Sequence, residues 1–126
     1  MHFFVYKKGE LYAEDVPVTE LVKEFGTPLY IYSYGTLIRH VRAYEEAFCD
    51  THHIICYAVK ANSNLAILNL FANLGLGADI VSGGELFKAL KAGIKPFRIV
   101  FAGVGKTEQE IEYALKNNIL MFNVES

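Results

Sequence analysis

From residue 54 onward the chain repeats one pattern. A short apolar stretch is followed by a segment whose apolar positions recur at helical spacing, and then by glycine or asparagine. The stretches Ile54–Val59, Ala78–Val81, Arg98–Phe101 and Leu120–Val124 read as strands. Leu65–Leu74, Gly84–Ala92 and Glu108–Lys116 between them read as helices. Gly75, Gly93 and Asn117-Asn118 follow the helices, where left-handed residues end them. Thr107 is placed to cap the third helix, with Glu110 completing a capping box. Strands alternating with helices predict a parallel sheet with right-handed crossovers, and nearly continuous apolar strands predict cover on both faces. A (β/α)₈ barrel and an open doubly wound sheet both fit. The last strand has no helix after it, so these residues are expected to begin a longer protein.

The first part is patterned differently. Phe3–Tyr6, Leu11–Tyr12 and Leu29–Tyr32 are short β-prone pieces, with a turn at Lys8-Gly9-Glu10. Val18–Phe25 reads as a short helix capped by Thr19 and stopped by Gly26 and Pro28. Ser33 is a good N-cap for a helix ending near Phe48, with apolar positions Leu37, Val41, Tyr44, Ala47 and Phe48.

The 126 residues are 52 % hydrophobic and 21 % charged, which fits a globular chain and not a disordered one. A net charge of -2 gives no reason to expect nucleic acid or an anionic membrane as partner. The apolar runs are too short to span a bilayer, and the N-terminus lacks the charge order of a signal peptide. A cytoplasmic protein is expected, with Cys49 and Cys56 as free, buried thiols.

Barrels and open α/β sheets both gather chemistry at the C-terminal ends of their strands. Lys60 ends the first of these strands, and its ammonium beside so much apolar surface is costly unless it is paired or used. Desolvation there favours the neutral amine that carbonyl chemistry requires. Asp79, between Ala78 and Ile80, is a carboxylate in an apolar strand and an obvious partner. Residue types alone leave the two equally readable as a structural ion pair.

Other motifs carry less. Gly103-Val104-Gly105-Lys106-Thr107 ends like a P-loop, but Val100 stands where its first glycine belongs, and Glu108 breaks a GxGxxG reading. Gly83-Gly84 reads first as a tight strand-to-helix turn and second as an anion site. Adjacent His52 and His53 point apart and make a poor metal pair, so no metal is expected.

Four segments together resemble the fold-type III pyridoxal-phosphate decarboxylases. They are Gly26-Thr27-Pro28-Leu29-Tyr30-Ile31-Tyr32, Tyr57-Ala58-Val59-Lys60-Ala61-Asn62, Gly77-Ala78-Asp79-Ile80-Val81-Ser82-Gly83-Gly84-Glu85-Leu86, and Phe101–Thr107 followed by Phe122-Asn123-Val124-Glu125-Ser126. The lysine segment points to the superfamily. The Gly-Val-Gly-Lys-Thr, Ser-Gly-Gly-Glu-Leu and Asn-Val-Glu-Ser segments resemble the diaminopimelate branch. The resemblance implies that Lys60 is the lysine that carries pyridoxal 5'-phosphate covalently and that Asp79 lies beside it and places its amine. It implies a barrel joined to a β-domain, with residues 1–32 contributing to the β-domain and residues 33–126 forming the first βα units of the barrel. It implies conversion of meso-2,6-diaminopimelate to L-lysine and CO₂ by a full-length homodimer, with these residues alone inactive and binding the cofactor weakly if at all. The family's stacking histidine, phosphate loops and substrate arginines would come later in its chain. An ornithine, arginine or carboxynorspermidine decarboxylase, an alanine racemase, or a non-catalytic relative remain the alternatives.

Overall fold

The computed structural model describes residues 2–125, which divide into two units, one up to His52 and one from His53.

In the first unit, β1 (Phe4–Lys7), β2 (Glu10–Ala13) and β3 (Val16–Pro17) form an antiparallel sheet in that order. Lys7 pairs with Glu10 across a two-residue turn, in which Lys8 and Gly9 both take positive φ (51° and 82°). That geometry matches the right-handed twist of a hairpin. A second tight turn, with Glu14 at φ 59°, brings Val16 opposite Ala13. Helix α1 spans Val18–Phe25 and ends at Gly26, φ 77°. Its N-cap is Pro17 and not Thr19, whose hydroxyl lies inside the helix and donates to Glu10 instead. Leu29–Tyr32 pairs with no strand. Its side chains alternate half-buried and exposed as a strand's would, yet its backbone has no ladder.

Helix α2 spans Tyr34–Ala47, with Ser33 as the expected N-cap accepting from the Thr36 amide. Only Val41 of the expected apolar stripe is buried, while Tyr44 and Phe48 are exposed. Polar contacts close this unit. Glu14 Oε1 accepts from Ser33 Oγ (2.6 Å) and from the Gly35 amide (2.7 Å). The Phe3 amide donates to Thr36 Oγ1 (2.9 Å), and the Glu14 amide to the Phe3 carbonyl (2.7 Å).

In the second unit, β4 (Cys56–Ala58), β5 (Gly77–Ile80), β6 (Ile99–Phe101) and β7 (Met121–Phe122) form a parallel sheet in sequential order. Helices α3 (Leu65–Asn73), α4 (Gly83–Lys91) and α5 (Glu108–Lys116) connect them. A doubly wound sheet would reverse its strand order; this one advances in a single direction, as barrel strands do. The first strand is shorter than expected, because Val59–Ala61 turns into a 3₁₀ segment.

The repeat has a physical basis at each helix end. Gly75, Gly93 and Asn118 take positive φ, and the next amide reaches back to Phe71, Ala89 and Ala114 respectively. These are Schellman closures, and the residue after each turn (Leu76, Ile94, Ile119) is apolar and covers the helix end.

Strand residues Ala78, Ile80, Ile99 and Phe101 pack with Leu68, Leu86, Ala89 and Ala114 of the helices in one buried core. The opposite face carries the row Ala58, Asp79, Val100 and Met121, set side by side by the strand register. None of these four is fully buried, so the cover expected on both faces is present on one. Among the described residues no helix is long and apolar enough to cross a membrane.

Candidate active site

Lys60 is exposed and stands in the 3₁₀ turn that follows β4. The expected apolar enclosure is absent, because the turn carries the side chain off the strand end while its neighbour Val59 enters the core. The segment that follows is held firmly. Tyr57 Oη donates to the Asn62 carbonyl (3.2 Å), and Asn62 Oδ1 accepts from the Asn64 amide (2.9 Å). Asn64 caps α3 through the Ala66 amide (2.8 Å), and Lys88 Nζ of α4 donates to Ser63 Oγ (2.8 Å).

Asp79 lies on β5 opposite Ala58, two residues before Lys60. Its Oδ1 is buried and has no hydrogen-bond partner among the described residues. No ion pair joins it to Lys60 among those residues. An orphaned carboxylate oxygen costs about 1–3 kcal/mol, which a native fold seldom bears without a use. Its negative charge reaches Cys56 on the same face. Burial first, and that charge second, push the Cys56 thiol up from 9.0, against a smaller pull from Arg98. Cys56 is half-buried and Cys49 is exposed, so the thiols are free, but neither is fully buried as expected.

The next strand end carries Ser82-Gly83-Gly84. Ser82 Oγ accepts from the Glu85 amide (3.2 Å), while Glu85 Oε2 accepts from the Val81 amide (2.7 Å). The Gly83 amide donates to Glu110 Oε1 (2.7 Å), and a Cβ at Gly83 would sit 3.1 Å from Glu110 Cγ. The glycine pair is thus not a separate turn but the first two residues of α4, and its first amide is already engaged. Glu110 also completes the expected capping box, its other oxygen accepting from the Thr107 amide and hydroxyl at 3.0 Å each. The Gly83 and Thr107 bonds hold its carboxyl below the ordinary 4.5.

Lys106 stood out in the sequence as the end of a P-loop decoy and as part of the Gly-Val-Gly-Lys-Thr segment, with no role of its own. Its Nζ donates to the carbonyls of Gly103 and Asn123, both at 2.6 Å, and pairs with Glu125 Oε2 at 3.3 Å. Three donors meet three oxygens, and none is left for a phosphate. Glu125 Oε1 takes the Gly103 amide (3.2 Å). No spacing signal marks Lys106–Glu125 or the second arm of Glu110, because both connect residues that meet only in the fold. Ser126 lies outside the described residues. Among those residues, no group of three or more His, Cys, Asp or Glu side chains could hold a metal ion.

These features define a class: barrel-type βα units with a reachable amine after the first strand and an unpartnered carboxylate on the second. Residues 34–126 match the family described as pyridoxal-dependent decarboxylase, pyridoxal binding domain, and the chain belongs to that family. It is 54 % identical over 127 residues to the diaminopimelate decarboxylase of Vibrio cholerae, covering all of this chain and 30 % of that protein. It is 56 % identical over 124 residues to the Aquifex aeolicus diaminopimelate decarboxylase, covering 98 % of this chain and 29 % of that one. The crystal structure of the M. jannaschii diaminopimelate decarboxylase in co-complex with L-lysine superposes with a TM-score of 0.92 at 41 % identity, covering 98 % and 30 %. The chain thus spans about 30 % of the length of the curated relatives it matches.

Proposed function

We propose that the protein to which this chain belongs decarboxylates meso-2,6-diaminopimelate to L-lysine and CO₂ with pyridoxal 5'-phosphate. Residues 33–126 would supply the first βα units of its barrel, and residues 1–32 part of a β-domain. The substrate follows from the diaminopimelate decarboxylases that align with essentially every residue of the chain. A cytoplasmic homodimer is part of the same reading, which sedimentation of the full-length protein would test.

One observation carries the cofactor assignment. The buried, unpartnered Oδ1 of Asp79 lies on the strand beside the one that delivers an exposed Lys60. That donor set fits an aldehyde cofactor, since it offers a reachable amine and an anionic acceptor with no competing partner. Bound pyridoxal phosphate supplies the electron sink for loss of the carboxylate. Lys60 would hold the cofactor covalently, which requires that its Nζ give up a proton so that a lone pair is available. Asp79 Oδ1 orients a donor on that face, and Ala58 and Val100 on either side leave it the one charged group of its row.

The test is borohydride reduction of the full-length protein with pyridoxal phosphate, followed by peptide mapping. The label should fall on Lys60, and Lys60→Ala should lose it together with the activity. A label on another lysine, or faster turnover of ornithine or arginine than of meso-diaminopimelate, would overturn the reading.

A further inference from the structure

We propose that Glu110 and Lys106 are positioning residues for the pyridoxal-phosphate site, joining the strand-end loops beside Lys60 into one hydrogen-bonded rim. This rests on the functional reading above. Glu110 is the centre of the rim. One oxygen holds the first amide of α4 at Gly83 (2.7 Å), and the other holds the start of α5 at Thr107 (3.0 Å). From α4 the rim continues to the lysine segment, because Lys88, in the last turn of that helix, donates to Ser63 Oγ (2.8 Å) three residues after Lys60. From α5 it continues the other way through Lys106, which ties the Gly103 carbonyl to that of Asn123 beyond β7 and pairs with Glu125.

The arrangement exceeds what local stability requires. A capping box needs one carboxylate oxygen, and Glu110 uses its second on a different helix. The Lys106 side chain is only 10 % exposed, and a cation so enclosed is held where its three acceptors converge. Each strand end keeps its own loop, and these bonds tie each loop to the next. Small displacements of a catalytic group are costly, and α4 is the element through which a shift at Gly83 reaches the lysine segment.

The experiment uses the full-length protein and Glu110→Gln, whose amide has one acceptor oxygen where the carboxylate uses two. Lys106→Met is the second variant, and Glu112→Gln, an exposed carboxylate on the same helix, is the control. Three quantities are read well below the melting point: the dissociation constant for pyridoxal phosphate, the rate of borohydride trapping on Lys60, and the unfolding temperature of the apoprotein. Both test variants should weaken cofactor affinity and slow trapping by about tenfold, while the control changes neither. A merely structural role would lower the unfolding temperature and leave affinity and trapping intact, and that result overturns the proposal. If Lys106→Met is insoluble, Glu125→Gln removes the charge partner and keeps an acceptor for Gly103, with the same two outcomes. A wild-type protein that traps no label on Lys60 refutes the functional reading and this inference with it. Normal wild-type trapping with unaffected variants refutes this inference alone.

Discussion

The two units are held together by different physics. The second has a continuous apolar core in which Phe101, Leu68, Ile80, Leu86, Ile99 and Val59 are fully buried. In the first, Ala13 and Val41 are the buried hydrophobics, and Tyr30, Phe25, Tyr34 and Tyr44 are largely exposed. Its closure falls instead to a carboxylate, Glu14, which takes hydrogen bonds from Ser33 and Gly35. Apolar burial is non-directional and survives changes of charge, whereas a carboxylate clasp depends on geometry and protonation. Within the second unit the same division recurs. The core lies under the sheet, and the strand-end rim is built from Glu110, Lys106 and Glu125.

The largest expected effects lie in that core. Phe101→Ala should destabilise the second unit by about 3–5 kcal/mol, read by urea unfolding of this chain followed by circular dichroism. Gly77→Ala comes next. The new Cβ would land on the carbonyl of Arg98, the residue just before β6, and 2.9 Å from Cys56 Sγ. Backbone on one side gives no room, so the loss should be about 3 kcal/mol through separation of β5 from β6. A matched pair then sharpens the comparison. Val59→Ala, at 0 % exposure, should cost about 2 kcal/mol, and Val41→Ala, at 8 %, about 1 kcal/mol. Equal losses at the two valines would mean that the first unit has a better core than its burial indicates.

What the sequence conveyed and what it hid follow the same division. The βα repeat was legible because burial on one side of a helix imposes a period that a linear reading can find. The capping box at Thr107 and the left-handed closures at Gly75, Gly93 and Asn118 were legible because they are local. Residue types placed Lys60 after the first strand and Asp79 within the next, and the register sets Asp79 opposite Ala58, but nothing in the pattern marked the 3₁₀ turn that leaves Lys60 exposed. Strand length depends on where the ladder stops, and that is a property of the partner strand. Thr19 failed as a cap because the helix begins one residue earlier, at Val18, which puts Thr19 inside its first turn. Leu29–Tyr32 has a strand's alternation and no partner. The links from Glu110 to Gly83 and from Lys106 to Asn123 span 27 and 17 residues, beyond any periodicity.

Acid separates the units further. The Glu14 carboxyl is held below its ordinary 4.5, first by the Ser33 hydroxyl and then by the Gly35 amide. Its folded pKa is thus lower than its unfolded one, so its contribution is fully present above about pH 4.5 and is lost as pH falls through the folded value. Glu110 has the same sign. The difference lies in what remains once each is protonated: the second unit retains its core, and the first retains little. Amide exchange at Gly35 and Thr36 should therefore accelerate at a higher pH than exchange at Ala78 and Ile80. Simultaneous loss of protection would show that the clasp is not what closes the first unit.

The smallest effect concerns the two thiols, one in each unit. Cys49 is exposed, and Cys56 is half-buried with its thiol pushed up by burial and by the Asp79 charge. The thiolate is the reactive form, so a raised pKa and restricted access act in the same direction. Iodoacetamide near neutral pH should modify Cys49 first and Cys56 several times more slowly, read by mass spectrometry of the two peptides. Asp79→Asn removes the smaller of the two raising causes and leaves burial in place. It should speed Cys56 by about twofold and leave Cys49 unchanged. A larger acceleration would mean that the Asp79 charge, and not enclosure, governs that face of the sheet. No acceleration would mean that access alone sets the rate and that the orphaned carboxylate does not act on its neighbour.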